Sequence, residues 1–430
     1  MPNLPEAYLV RMRAQLGTRG FAGYLAAMEA PPRRALRVNP LKTTAADFLA
    51  LADFSLSPTG VLPESFFFGD DVAIGRHPLH AAGLCYVQEP TAQAPAALTQ
   101  AEAGMAVLDL CAAPGGKATQ LAAMMQNTGL LVANEPVRSR AEILAGNIER
   151  LGIQNALVTC MRPDALVASL GACFDVVLVD APCSGEGMFR KDAAAVRAWS
   201  PEHVAACAAR QGQILESASL LLKGGGRLVY ATCTFSQEEN EGVIEQFLSA
   251  HPDFSLIETH RMYPHTSPGE GQFMAALVRA KGASAHSIPF AAPAGERIPT
   301  FEAFWRESFI AEPPEAMRLP DGRVLLPPAL LPQELGGLHI IRAGVLAGEI
   351  KSGRFTPGHA LALAYPAGAF RAAMPLEAGA QTRFLAGETV ACRPALSGWC
   401  PATVLGHPVG WGKAVDGVLK NHIPKGLRLR

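Results

Sequence analysis

Apolar and polar positions change their spacing near residue 84. Before it, short helical patterns mix with loops, and the stretch PPRRALRVNP at 31–40 reads as a break. Beyond it, continuous apolar runs alternate with helical spacing. Strands are predicted at 106–110, 130–133, 156–159, 175–179 and 227–231, with a late one at 272–280. Helices are predicted at 117–126, 137–151 and 237–250. A longer helix is capped by Ser200, has Pro201 at its first position, and runs to Leu222, where Gly224-Gly-Gly226 is expected to stop it. Strands alternating with helices imply an α/β fold whose mainly parallel sheet is covered on both faces. After 283 the pattern decays into GASAHSIPFAAPAGERIP, a linker, followed by short elements around Phe301-Glu-Ala-Phe-Trp305. From 353 onward, short apolar pieces separated by Gly and Pro suggest a small β-rich domain. The expected divisions are 1–83, 84–283, 284–350 and 351–430.

Length supports that division, because single cores stop growing near ~250–300 residues and this chain has 430. No apolar run approaches the ~20 residues that span a membrane. The start, MPNLPEAYLVRMRAQLG, lacks the apolar core of a signal peptide, so a cytoplasmic location is expected. Nine cysteines, an odd number without CxxC spacing, argue against a disulfide framework and against a metal site. A net charge of −1 counts against a generally basic surface. Two local clusters change that picture. Residues 31–42 hold four cations and no acid, and 420–430 are also cationic, an arrangement compatible with two grips on a phosphate backbone.

Asp109-Leu-Cys-Ala-Ala-Pro-Gly-Gly-Lys117 lies where the first strand of the alternating region meets a helix. Open α/β sheets bind ligands at the carboxyl ends of their strands. The candidate cofactor residues of this turn are Cys111, Ala112, Ala113, Pro114, Gly115, Gly116 and Lys117. A phosphate-binding P-loop is excluded because position 111 is Cys and position 118 is Ala. The Gly-x-Gly-x-x-Gly dinucleotide fingerprint is absent too, which weakens a nicotinamide-dependent oxidoreductase. Glu135, ending the second strand, can accept both hydroxyls of a ribose, and Asp164 can hydrogen-bond an adenine amino group. This set fits S-adenosyl-L-methionine (AdoMet).

Cys183 in Asp180-Ala-Pro-Cys-Ser-Gly185 and Cys233 in Tyr230-Ala-Thr-Cys-Thr234 each follow an apolar strand, so both thiols can converge on one pocket. Methylating C5 of cytosine requires a nucleophile at C6, a group that later removes the C5 proton, and a carboxyl group near N3. Asp180, Cys183 and Cys233 supply those parts, and either thiol can be the nucleophile. The Asp-Ala-Pro-Cys spelling differs from the Asn/Asp-Pro-Pro-Tyr/Phe pattern expected for methylation of an exocyclic amine. The remaining thiols, Cys85, Cys160, Cys173, Cys207, Cys392 and Cys400, read as small buried hydrophobes, with Cys111 packing beneath the cofactor turn.

Over about 36–280 the chain resembles the Nop/Sun family of RNA cytosine-5 methyltransferases. The matching motifs are 109–117, 180–185 and Thr232-Cys-Thr234, together with Arg37-Val-Asn-Pro40, Gln88-Glu-Pro90 and Glu238-Glu-Asn-Glu241. The resemblance implies a seven-stranded Rossmann-like methyltransferase core with AdoMet as donor, an N-terminal α+β extension and a C-terminal PUA-like domain. It assigns the nucleophile to Cys233, proton removal and product release to Cys183, and base activation and cofactor contact to Asp180. DNA cytosine-5 methyltransferases use the Pro-Cys thiol instead, so spacing alone does not make this assignment. Arg140 and Lys191 match basic positions of the family. Gly185-Glu-Gly-Met-Phe-Arg-Lys-Asp192, Trp411-Gly-Lys413 and Lys420-Asn-His-Ile-Pro-Lys-Gly426 resemble the bacterial branch acting on 16S rRNA of the small subunit near the decoding site. Implied partners are therefore RNA, without membrane or metal, for a monomeric enzyme. A tRNA target and an assembly factor with a vestigial core are the alternatives.

Overall fold

The computed structural model describes residues 4–282 and 288–429. Part of the expected linker, 283–287, and the terminal Arg430 lie outside the described residues. The first element is α1 (Glu6–Glu29), longer than the short helical patterns predicted there. Gly17, at φ +65°, interrupts its interior, so the apolar spacing does not continue in one register. Next come β1 (Arg34–Val38), α2 (Ala45–Leu51), β2 (Leu56–Pro58), β3 (Ser65–Phe68), α3 (Pro78–Ala81) and β4 (Cys85–Val87). The strands form a sheet in the order β2-β3-β1-β4.

Strand β1 occupies the stretch read as a break, and two of the four cations of 31–42, Arg37 and Lys42, depart from the expectation of a phosphate grip there. Arg37 is buried and donates to the Gly116 carbonyl (3.1 Å) and Thr119 Oγ1 (2.9 Å). Lys42 Nζ donates to the carbonyls of Ala82 (2.8 Å) and Arg150 (3.2 Å). Arg33 and Arg34 lie over the rings of Phe67 and Phe68. Arg37 and Lys42 are thus taken up by protein contacts, because β1 lies inside a sheet that docks onto the next domain, whereas Arg33 stays exposed.

That domain comprises α4 (Ala94–Leu98), β5 (Ala106–Asp109), α5 (Gly116–Met124), β6 (Leu130–Asn134), α6 (Arg138–Arg150), β7 (Ala156–Thr159) and α7 (Pro163–Leu170). It continues through β8 (Phe174–Asp180), α8 (Ala193–Ala198), α9 (Pro201–Leu221), β9 (Leu222–Thr232), α10 (Glu241–Ala250), β10 (Phe254–Met262) and β11 (Gln272–Arg279). The sheet order is β10-β11-β9-β8-β5-β6-β7, parallel except for β10 and β11. Its seven strands are those the family resemblance implies. An eighth, Ile340–Ala343, adds antiparallel to β7 from the region beyond the linker and covers what would be an open edge. Alternate residues of each strand feed two cores. Leu108 and Val177 face Leu166, Leu215 and Phe247, while Val107 and Val176 face Leu121, Leu144 and Ile148.

Two boundaries differ from the sequence pattern for physical reasons. Helix α9 starts as predicted, with Ser200 Oγ accepting from the His203 amide (3.1 Å), but the glycines do not stop it. The chain turns extended at Leu222, and 223–226 form a bulge between Phe174↔Leu222 and Val176↔Arg227, with Gly225 at φ +82°. Helix α10 begins at Glu241, not 237. Asn240 is engaged elsewhere, donating to the Thr234 carbonyl (3.0 Å) and accepting from Thr232 Oγ1 (2.6 Å).

After the linker, the helix Pro299–Ser308 packs Phe301, Phe304 and Trp305 near Trp411. A five-stranded sheet follows, built around Gly398–Val404 and His407–Val415. Its apolar face shares one core with the N-terminal sheet, where Leu36, Phe48 and Phe66 meet Phe384, Val404 and Leu419. The two ends of the chain therefore fold against each other. Among the described residues no helix is long and apolar enough to cross a membrane.

Candidate active site

Strands β5, β6, β7, β8 and β9 are parallel, so their carboxyl ends lie together, and a cavity of about 920 Å³ opens there. Cys111, Ala113 and Lys117 line it from the β5–α5 turn, Glu135 and Arg140 from β6–α6, and Asp164 from α7. Asp180, Cys183 and Cys233 line it from β8 and β9. The cofactor candidates Ala112, Pro114, Gly115 and Gly116 do not. Ala112 and Gly115 are buried beside it, Ala112 within a core cluster, and a Cβ on Gly116 would meet Gln88 at 3.1 Å. Lys191 is also elsewhere, paired with Glu270 at 3.4 Å.

The thiols meet because of strand register. Asp180 of β8 pairs with Ala231 of β9, three residues before one cysteine and two before the other. The Ala181 amide donates to the Ala231 carbonyl (2.8 Å), and Gly187 to the Cys233 carbonyl (2.8 Å). Cys183 Sγ and Cys233 Sγ lie 3.3 Å apart, within reach of a shared proton. The hydrogen bond to Cys233 holds the Cys183 thiol well above its ordinary pKa, reinforced by burial and by the charges of Cys233 and Glu239.

Beside them Lys117 Nζ donates to Asp180 Oδ2 at 2.7 Å. Burial works against the Lys117 ammonium, but Asp180, Asp109 and Cys233 more than offset it, and its pKa is raised. Glu135 is fully buried at the end of β6, accepts from the Val137 amide (3.0 Å) and pairs with Arg140 (3.2 Å). Arg140 also donates to the Ala113 carbonyl (3.1 Å), joining the first two strand ends. Asp164 is exposed beside Arg162 (3.0 Å).

Beneath the turn, the Asp109 carboxyl is buried. Burial, then the charge of Asp180, push its pKa from 3.8 up to about 8, against the pull of Lys117. The folded value lies above the unfolded one, so this group's stabilising contribution is complete below about pH 4 and is lost as pH rises toward 8. Denaturant titrations between about pH 5 and 8 should therefore show wild-type stability falling by up to about 1.4 kcal/mol per unit from this group. Asp109→Asn, neutral throughout, should flatten the slope; an unchanged slope would show that Asp109 is ionised in the folded chain.

Sequence reasoning missed the residues behind the thiols. Glu186 is buried, accepting from Trp199 Nε1 (2.8 Å) and the Phe235 amide (2.8 Å). Glu239, also buried, accepts from the Ser184 amide (2.9 Å) and Gln211 Nε2 (2.9 Å). Helix α1 backs the same loops, with Tyr8 and Tyr24 against Phe189, Trp199 and Phe235. Their sequence signals are the Gly185–Asp192 and Glu238–Glu241 motifs, to which no catalytic role attaches. Of the thiols read as buried, Cys85, Cys173, Cys207 and Cys400 are so, whereas Cys160 and Cys392 are partly exposed.

Four family models match successive parts of the chain. They describe the N-terminal domain of 16S rRNA methyltransferase RsmF (4–90), 16S rRNA methyltransferase RsmB/F (96–279), the RsmF rRNA methyltransferase first C-terminal domain (303–365) and the methyltransferase RsmF PUA domain (371–429). Among curated proteins, ribosomal RNA small subunit methyltransferase F of Klebsiella pneumoniae is 43% identical over 258 residues, 58% of this chain and 54% of that protein. Its Escherichia coli O157:H7 namesake is 42% identical over 259 residues, with the same coverage. The matches thus span about half the length of these relatives. A methyltransferase homolog from Pyrococcus horikoshii superposes with TM-score 0.55 at 26% identity, over 64% of this chain and 100% of that one. NSun6 from the same organism, solved with SFG, shares the fold at TM-score 0.59 and 20% identity, over 65% of this chain and 100% of its own.

Proposed function

We propose, from the premise that this chain belongs to the RsmB/F family of methyltransferases, that it makes 5-methylcytosine in 16S rRNA with AdoMet as donor. The observation that carries this reading is the pair of thiols 3.3 Å apart at the ends of β8 and β9, beside the Lys117–Asp180 ion pair. An N-methyltransferase has no use for two converging thiols, whereas C5 chemistry needs a nucleophile and a base on one ring.

The cavity residues fit AdoMet. A buried carboxylate at Glu135 suits a pair of hydroxyls, and exposed Asp164 lies on the same wall for an amino group. Cys111, Ala113 and Arg140 complete that side. When bound, AdoMet supplies an electrophilic methyl group for C5.

The protein's part is to make C5 nucleophilic and then to restore the ring. Cys233 attacks C6 as a thiolate, forming a C–S bond while the C5–C6 π electrons move toward C5. Asp180 orients the base by accepting from the exocyclic amino group beside N3, and the Lys117 ammonium that it holds at 2.7 Å offsets the negative charge developing on the ring. Once sulfur is bonded to C6, it neither accepts the Cys183 proton nor carries charge. Two of the causes that hold the Cys183 proton then vanish, and the thiol can release it to solvent. After C5 is methylated, the Cys183 thiolate takes the C5 proton, the C5–C6 double bond reforms, and Cys233 leaves as thiolate. The cytosine must leave its stack to reach both thiols.

Bisulfite sequencing of 16S rRNA and tRNA, from cells with and without the gene, tests this reading. A cytosine of 16S rRNA should resist conversion only when the gene is present. Loss of protection in tRNA alone would move the substrate to tRNA. No difference in either RNA would leave an assembly factor.

A further inference from the structure

Two chemically identical thiols share the site, and something must give them different roles. Behind them lies Glu239, between β9 and α10, with no exposed side-chain surface. Its carboxylate reaches both loops. The Ser184 amide, next to Cys183, donates to Oε2 (2.9 Å), and the Ser184 hydroxyl donates to Oε1. Thr234, next to Cys233, has its hydroxyl 2.9 Å from Ser184 Oγ and 3.4 Å from Glu239 Oε1. Gln211 of α9 spans Glu239 Oε2 (2.9 Å) and the Pro182 carbonyl (3.0 Å), closing the ring on the residue before Cys183. A carboxylate only accepts, and all these partners can donate to it. The acid is thus the common acceptor of two loops whose cysteines lie 50 residues apart in sequence.

We infer that Glu239 is a positioning residue: its carboxylate locks the Cys183 and Cys233 loops into one unit and keeps the proton of the thiol pair on Cys183. The inference deepens the proposed cytosine-5 chemistry and rests on it for the catalytic half. Charges facing the pair are disposed asymmetrically. Glu239 takes both the amide and the hydroxyl of Ser184 beside Cys183 but only a 3.4 Å contact from Thr234 beside Cys233. Its charge therefore sits on the Cys183 side and helps hold that thiol's proton, while the Lys117 ammonium lies in the field of Cys233. Asp180 precedes Cys183 on its own loop, Arg210 lines the cavity from α9, and Tyr230 of β9 donates to the Glu239 carbonyl (2.6 Å). With the acid bonded to the Cys183 loop and the cation facing Cys233, Cys233 is left as the attacking group.

The test uses the full chain and first needs neither RNA nor cofactor. Iodoacetamide alkylation of Cys183 and Cys233, followed by peptide mass spectrometry across pH, reads the protonation of each thiol. In Glu239→Gln the Cys183 profile should move to lower pH, because the charge that helps hold the Cys183 proton has been removed. Ser184→Ala weakens the lock but keeps the charge, so it should leave that profile in place. Turnover on 16S rRNA should fall roughly tenfold to a hundredfold in Glu239→Gln, with KM for RNA and AdoMet within about threefold of wild type. Glu239→Asp keeps the charge and shortens the reach. It should retain the wild-type Cys183 profile and lose turnover, which keeps the test available if the Gln variant does not fold. An unmoved Cys183 profile in Glu239→Gln, or an equal shift in Ser184→Ala, would overturn the proton assignment. A shifted profile with wild-type turnover would overturn the positioning role. A shifted profile in a protein inert toward every cytosine-bearing RNA would sink the enzymatic reading and leave the proton assignment standing.

Discussion

Cys233→Ala should lose methyl transfer by about 10⁴-fold or more, while AdoMet binds within about threefold of the wild-type affinity. The loss is large because the remaining thiol, Cys183, is held in its protonated form and does not add to C6 in place of Cys233. The hydroxyls beside the pair, Ser184 and Thr234, are hydrogen-bonded to each other and Ser184 to Glu239, and hydroxyls and water are far weaker nucleophiles than a thiolate. Binding should persist because the proposed AdoMet wall belongs to other strands, Glu135 at the end of β6 and Asp164 on α7. The local fold should persist too. Contacts of Cys233 that hold the loop use its carbonyl, which accepts from the Gly187 amide, and alanine keeps that carbonyl. Incorporation of labelled methyl into 16S rRNA measures the first quantity, and calorimetric titration with AdoMet the second. Substantial turnover in Cys233→Ala, with loss in Cys183→Ala, would exchange the two roles.

How much of this site the sequence discloses depends on the range of each interaction. Strands β6 and β7 lie within a residue of the apolar runs at 130–133 and 156–159, because a buried parallel strand writes its own pattern. Convergence of the thiols is equally legible, since both follow neighbouring parallel strands. The acids behind them are not. A glutamate two residues before α10 looks solvated until the fold brings Ser184 and Gln211 against it, 55 and 28 positions away. The strand Ile340–Ala343 is hidden for the same reason: its partner β7 lies some 180 residues earlier. Cations mislead most. Arg37 and Lys42 look like a basic surface in sequence, yet both donate to carbonyls across the junction with the next domain, those of Gly116 and Arg150. Charge along a chain says nothing about which charges the packing will consume. The family resemblance, not spacing, separated Cys233 from Cys183, and the Glu239 ring supplies a physical reason for that separation.

Cys183→Ala should stall the reaction after the methyl group has been delivered. Attack by Cys233 does not need a base on Cys183, so the C6–S bond can form, and C5 can be methylated. What fails is removal of the C5 proton, the step that re-forms the double bond and expels Cys233. A positioned base contributes about 10²–10⁴ to such a step, and turnover should fall by that order. The adduct then decays only as fast as solvent can take the proton, so protein covalently joined to RNA should accumulate. With end-labelled RNA, a denaturing gel should show a slow band in Cys183→Ala, little in wild type, and none in the Cys183→Ala/Cys233→Ala double variant. Release on protease digestion would confirm a protein link, and a tryptic fragment carrying Cys233 would locate it. The proton economy of the pair gives a further discriminant. In wild type, Cys183 becomes a base only after Cys233 has been consumed, since the hydrogen bond from Cys183 to Cys233 is the leading cause of its raised pKa. Cys183→Ser keeps a hydrogen-bond donor to Cys233 but offers a far weaker acid, so it should form the adduct and release it as slowly as the alanine variant. Normal turnover without adduct in either variant would mean that another group takes the C5 proton, and the release role assigned to Cys183 would fall.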